Sequence, residues 1–282
     1  MKNKIILGFS ISVGLVAGLP ATLAQTYQPS NRAPVADSTL GTQVSGTSNN
    51  FNITGGLSKG QTLFHSFTDF SVPTGSSANL INPVGNRDTI ARVTGGLFSD
   101  INGLVNSNGA NFFLINPNGI VFGAKAKLDV GKTFVGSTAN GLDLVNAGGK
   151  AFTFGVNGAG DSSLLTVNSN VLFNPTKLTM GASNPASSGI VNYGTLQTNT
   201  DRQYIGLIGG NVKLDGGKVV VPGGRVDLGG LNSAGTVSID SKGLVFAGSG
   251  LTYSDVSLIN GASVSVRANQ TLDMVNTAFG NV

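Results

Sequence analysis

The stretch Gly209-Gly210-Asn211-Val-Lys-Leu-Asp215-Gly216-Gly217-Lys218-Val-Val-Val-Pro222-Gly223-Gly224-Arg225-Val-Asp-Leu228-Gly229-Gly230 decides the fold. Glycine pairs return every six or seven residues, and each interval holds a short run in which β-branched and other apolar residues alternate with polar ones. Such a run puts its apolar side chains on one face of a strand, and a glycine pair ends it in a tight turn. Three strand-turn units make about twenty residues, the length of one coil of a three-sided β-solenoid whose coils stack at about 4.8 Å. A longer repeat agrees: Val212-Lys-Leu-Asp215, Val237-Ser-Ile-Asp240 and Val264-Ser-Val-Arg267 begin 25 and 27 residues apart. Strands joined by turns this short can also zigzag as an antiparallel sandwich or barrel, so periodicity alone leaves both architectures open.

Composition extends the β reading to the whole chain. Of 282 residues 42 are Gly, and all thirteen acidic residues are Asp. Glycine is costly inside helices, and Glu is among the residues that exposed helices rely on. With no Cys or Trp and a single His, the chain has no disulfide, thiolate nucleophile or multi-histidine metal site. Without Glu it cannot build the His-Glu-x-x-His metalloprotease motif or the last ligand of an EF-hand loop. An Asp-based enzyme, a Ser enzyme with an unusual base, or no enzyme remains.

At the amino terminus Lys2 and Lys4 precede an apolar run from Ile5 to about Ala17, and Pro20 leads into small residues that end at Ala24. This is the layout of a secretory signal peptide, and the run is too short to span a membrane. Residues 1–24 are therefore expected to be removed. The two lysines lost with them take the formal charge from +4 to +2. No basic patch remains, so nucleic acid is not an expected partner.

Residues 25–45 are polar, carry Pro29 and Pro34, and read as an extended leader; residues 46–282 read as the folded domain. A solenoid has open ends that need covering. Residues from about Leu40 to Val72 are expected to form the first cap, with Phe51, Phe64, Phe67 and Phe70 closing the core. The carboxyl-terminal residues Phe279-Gly-Asn-Val282 carry no capping signal, which reads either as a final coil covered by another element or as the front part of a longer solenoid.

One segment departs from the repeat background. In Asn108-Gly-Ala-Asn-Phe-Phe-Leu-Ile-Asn116-Pro-Asn-Gly-Ile-Val-Phe-Gly123 two apolar strands flank Asn116-Pro117-Asn118-Gly119. Pro117 fixes φ at the second turn position, Asn118 tolerates a left-handed conformation, and Gly119 lets the chain leave without a clash. Asn116-Pro117-Asn118-Gly119-Ile120 resembles the Asn-Pro-Asn-Gly-Ile motif of the amino-terminal secretion domain of two-partner-secretion exoproteins, the filamentous-haemagglutinin type. Phe51-Asn-Ile-Thr-Gly-Gly56, Leu63-Phe-His-Ser-Phe-Thr-Asp-Phe-Ser-Val72, Ile90-Ala-Arg-Val-Thr-Gly-Gly96 and Phe134-Val-Gly-Ser-Thr-Ala139 are similar to that domain in order and spacing. An earlier Asn-Pro-Asn-Leu motif of many members reads here as Asn82-Pro83-Val84-Gly85, with its third and fourth residues replaced.

The resemblance implies an all-β, right-handed parallel β-helix with a small amino-terminal cap. It implies a secreted, adhesin-like protein of the surface of a Gram-negative-type bacterium, exported by the Sec route and then across the outer membrane. The implied partner is an outer-membrane transporter whose periplasmic POTRA domains recognise the amino-terminal domain, with Asn116, Pro117, Asn118, Gly119 and Ile120 as the recognition residues. Host or surface glycans or matrix are candidate further ligands, and a monomer is expected. A chain without disulfides suits passage through a pore in extended form, and folding coil upon coil outside, nucleated on this domain, gives the passage direction.

Three other signals in the sequence compete with this reading. Gly56-Leu-Ser58-Lys-Gly60 has nucleophile-elbow spacing, but His65 follows only seven residues later within an alternating strand, where no hydrolase elbow has its base. His65 reads instead as a cap or surface side chain. Asp215, Asp227 and Asp240 recur near strand ends, as the carboxylates of a β-helical polysaccharide lyase or glycosidase would. Asp beside Gly is more simply a turn former. The 29 Asn residues suit stacked ladders at coil corners, and the calcium-binding nonapeptide of β-rolls is absent. The expectation is no catalytic residue, cofactor or metal, with a secreted carbohydrate-active enzyme or carbohydrate binder as the alternative.

Overall fold

The computed structural model describes residues 27–47, 49–146, 151–157, 171–179, 189–197, 203–221, 225–230, 236–241, 255–259, 263–268 and 277–280. The expected signal peptide and the final residues of the chain lie outside them, as does the side chain of Asp240.

Every regular element among the described residues is a strand. In the diagnostic stretch, Tyr204–Gly209, Asn211–Asp215 and Lys218–Val220 occupy three different sheets, and Arg225–Gly230 returns to the first. Tyr204 lies beside Arg225 in parallel register, so the coil advances by 21 residues. Parallel pairing requires the chain to come round before it pairs again, which excludes the antiparallel sandwich. The longer repeat is a stack as well: Val212 pairs with Val237, and Val237 with Val264.

The inward residues of the sheets fill one core. Phe112, Leu114, Phe134, Ile205 and Leu207 come from the first sheet, Ile120, Phe122, Ile190, Val212 and Leu214 from the second, Leu80, Val105 and Leu128 from the third, five-stranded one, and Leu196 and Val219 from the two-stranded sheet to which Lys218–Val220 belongs. Like side chains sit above like because registers match, as in Phe112 over Phe134 and Ile120 over Ile190. The corners are narrow. A Cβ on Gly194 would stand 2.3 Å from the carbonyl oxygen of Gly123 in the neighbouring coil, so only glycine lets the backbones approach there.

Antiparallel pairing at the amino-terminal end is what closes the solenoid. The hairpin Thr42–Thr47 and Asn50–Gly55 heads the third sheet. On the first sheet, the outer edge of Thr62–Asp69 is covered by Leu57–Lys59 along one half and by Val35–Ala36 along the other. The row of backbone groups that would otherwise template another chain is thereby used up.

The aromatic closure expected for this cap is only partly what forms. Phe67 and Phe70 enter the solenoid core, edge to face with centroids 5.0 Å apart. Phe51 is half-buried and outside that core, because the hairpin strand that carries it has little above it. Phe64 points to the opposite side of its strand, one position out of phase with His65 and Phe67. It joins a second apolar layer on the outer surface of the first sheet, with Leu40, Ile90, Phe113, Ile115 and Val135.

His65 is wholly buried in the cap. Its Nδ1 lies 3.2 Å from Thr42 Oγ1, and its Nε2 has no hydrogen-bond partner. The surface position for this residue is thus excluded, and Ser58 sits exposed with its hydroxyl on Asn86 rather than on a histidine. Loss of solvation on burial lowers the imidazole pKa from 6.5 to about 4. The unfolded chain therefore takes up the proton first, and stability is complete above about pH 6.5 and declines as pH falls toward 4. The decline is expected to reach about 2–3 kcal/mol between pH 7 and 4.5 in denaturant midpoints, and His65→Leu should flatten it over that interval.

Candidate functional site

The corner between Asn111–Ile115 of the first sheet and Ile120–Phe122 of the second is formed by residues 116–119. Asn116 is fully buried. Its Oδ1 accepts the backbone N–H of Asn118 at 3.0 Å, and its carbonyl accepts that of Gly119 at 3.1 Å, closing an Asx-turn within a β-turn. Pro at the second position and Gly at the fourth suit that turn. Its one left-handed residue is Gly119, at φ 115°, while Asn118, which would tolerate that conformation, keeps a negative φ.

The same turn ties three coils together. Asn116 Nδ2 donates to the Leu97 carbonyl and to Ser99 Oγ of the preceding coil, both at 3.0 Å. Its backbone N–H donates to the Ser137 carbonyl of the next coil at 2.9 Å. Asn118 Nδ2 donates to the Gly95 carbonyl at 2.7 Å. Ile120 is buried in the core stack and Gly119 is also buried, whereas Asn118 is exposed and Pro117 half-buried. Of the five residues expected to be read by a partner, only Pro117 and Asn118 are at the surface.

Beside the turn, Phe98, Asn118, Gly119 and the outward-facing Val121 and Val191 line an open groove of about 390 Å³, with Lys213 at its far side. Leu97 and Phe98, 53% and 39% exposed, stand at the corner of the preceding coil. Motif matching passed over these groove residues; the one available signal was an apolar pair directly after the turn glycines Gly95-Gly96.

The expected leader enters strands at Val35–Ala36 and Thr42–Thr47, and its residues 27–34 are irregular but docked. Tyr27 stacks on Tyr193 at 4.7 Å, and its hydroxyl bonds Asp100. Burial, then the bond to Asp100 and its charge, raise the phenol pKa. Ser30 N–H donates to Asp100 Oδ2 at 2.6 Å. Arg32 pairs with Asp69 at 2.8 Å, donates to the Phe98 carbonyl at 2.7 Å and lies 4.8 Å over the Phe98 ring. A strap from the leader thus holds one wall of the groove.

The Asn82-Pro83 turn connects the third sheet back to the first. Asn82 clamps neighbours much as Asn116 does, donating to the Ser107 carbonyl at 2.6 Å and accepting from Thr89 Oγ1 at 2.8 Å. Val84, where the family motif has its second Asn, is fully exposed. Asp215 and Asp227 do not converge. Asp215 is engaged by Lys213 at 2.7 Å on the second sheet, and Asp227 accepts from the Tyr204 hydroxyl at 2.9 Å on the first.

A solenoid with a reversed, antiparallel cap and an Asn-Pro-Asn-Gly corner defines a secretion domain, and comparison with known proteins agrees. The family model of the TPS secretion domain matches residues 33–281, and the chain belongs to that family. Such a domain is a transport-recognition domain, carried by an exported exoprotein that passes the outer membrane and interacts with an outer-membrane transporter. The HMW1 secretion domain from Haemophilus influenzae is similar in fold at 20% identity and TM-score 0.50, covering 82% of this chain and 56% of that one. The chain thus spans just over half the length of that relative. A filamentous hemagglutinin secretion domain aligns at 13% identity and TM-score 0.34, over 84% of this chain and 95% of the other. No curated protein matches.

Proposed function

We propose that the corner at Pro117-Asn118, with the adjoining groove, is the surface by which the transporter's periplasmic POTRA domains select this chain. The observation that carries the reading is the division within the motif. Asn116, Gly119 and Ile120 are consumed in building the corner, and they present Pro117 and Asn118 beside an open, largely apolar groove. Exposed apolar side chains next to fixed polar groups are what a partner surface uses.

In this reading residues 1–24 direct the chain through the inner membrane and are removed, and residues 25–45 and 46–282 act as strap and secretion domain. The transporter passes the chain outward, and the domain nucleates the solenoid of an adhesin-like surface protein. The domain works as a monomer and without catalysis, and glycans or matrix are ligands of the exported protein. The carbohydrate-enzyme alternative gains nothing from the strand-end carboxylates, since Asp215 and Asp227 lie on different sheets.

The test is secretion by cells carrying the cognate transporter. Asn118→Ala and Val121→Asp, each a surface change, are expected to lower the secreted fraction at least tenfold while the periplasmic pool rises. Unchanged secretion by both would return the corner to a purely structural role.

A further inference from the structure

Arg92 is the largest fully buried side chain that carries a charge. It projects from the outer surface of the first sheet, on the opposite side of Asp88–Val93 from Ala91 and Val93 of the core. Its Nε donates to Ser66 Oγ at 2.8 Å, Nη2 to Thr39 Oγ1 at 3.1 Å and Nη1 to the carbonyl of Gly155 at 2.7 Å. The guanidinium lies 4.7 Å over the ring of Phe154. Behind these hydroxyls stands Asp37, which accepts from Ser66, Thr39 and Thr94. Burial pushes the Asp37 carboxyl up, but those hydrogen bonds outweigh it and hold the group below its ordinary value.

Phe154 and Gly155 belong to the antiparallel pair Gly141–Asn146 and Ala151–Gly155, which folds back out of the solenoid. Leu142, Leu144 and Phe154 cover Phe64, Ile90, Phe113 and Ile115, with Phe64 and Phe154 edge to face at 5.0 Å. The cap strand and the first coils thus depend on a hairpin that lies 63 residues beyond Arg92. Without it a guanidinium and four large apolar side chains stay in water.

We propose that the Arg92 network, closed by Phe154 and Gly155, is a folding checkpoint that leaves the outer face of the first sheet unsealed until Ala151–Gly155 docks. The local coils cannot seal it alone, since the carbonyl and ring that complete the cage come from the hairpin. Once shut, the latch joins leader, cap strand, Asp88–Val93 and hairpin in one cooperative unit. The meaning for export rests on the secretion reading above; the order of folding does not.

The test is pulse-labelled hydrogen exchange during refolding of the full mature chain. Thr62–Asp69, Asp88–Val93 and Ala151–Gly155 are expected to gain protection in one kinetic phase. Earlier protection of the first two segments would overturn the checkpoint while leaving transporter recognition untouched. In the native state Arg92→Lys, which keeps the charge and loses the fork, should raise exchange at least tenfold in all three segments and leave Asn211–Asp215 unchanged. A rise confined to Asp88–Val93 would also overturn it.

Discussion

Replacing Asn116 with Leu is expected to destabilise the folded chain by about 3 kcal/mol or more, because it strands several polar groups at a buried corner. The Leu97 carbonyl and Ser99 Oγ lose their donor in the preceding coil, and the Asn118 N–H loses its acceptor within the turn. Leucine fills the space and satisfies none of them. Denaturant midpoints of the mature chain measure the loss, and secretion should fall with it. Asn118→Ala changes an exposed residue whose side-chain amide donates to the Gly95 carbonyl of the adjacent corner and to Asn116 Oδ1. Its midpoint is expected to stay within about 0.5 kcal/mol of the parent. The pair separates residues that make the corner from residues that present it.

Phe112→Ala is expected to cost about 3–5 kcal/mol, the usual range for emptying an aromatic site in a packed core. Phe112 is fully buried, with the ring of Phe70 5.7 Å away toward the cap and that of Phe134 6.0 Å away in the next coil. Phe122 meets Phe134 edge to face from the second sheet. Removing the middle ring separates the cap's aromatics from those of the later coils and leaves the aliphatic core side chains to bridge them. Thermal or denaturant unfolding of the variant measures the cost. Phe98→Ala, on an exposed ring, is the matched control and should change stability little.

The solenoid was legible because its determinants are local. A six- or seven-residue turn spacing and the recurrence of Val212, Val237 and Val264 become, directly, the coil length and the register of the second sheet. The Asn116 corner was legible for the same reason, as its turn closes within four residues. What the sequence could not display is which face of a strand each side chain would use once other chain segments covered it. Phe64, Phe67 and Phe70 look alike in sequence, yet Phe64 faces outward under a hairpin from residues 141–155. Arg92 resembles a surface charge in Ile90-Ala-Arg-Val, and Gly155, Phe154, Ser66 and Thr39, from other parts of the chain, make it a buried one. The strap of Tyr27 and Arg32 was equally invisible, since the residues it meets at Asp100 and Tyr193 are distant in sequence.

In the proposed function the transporter reads the folded corner at Asn118. The most direct measurement is the Kd of the folded mature chain for the transporter's isolated periplasmic region, by calorimetry, for the parent and for Asn118→Ala at equal stability. A loss of at least tenfold in affinity with an unchanged unfolding midpoint is the predicted result. Equal affinity for the two chains, both folded, would contradict it.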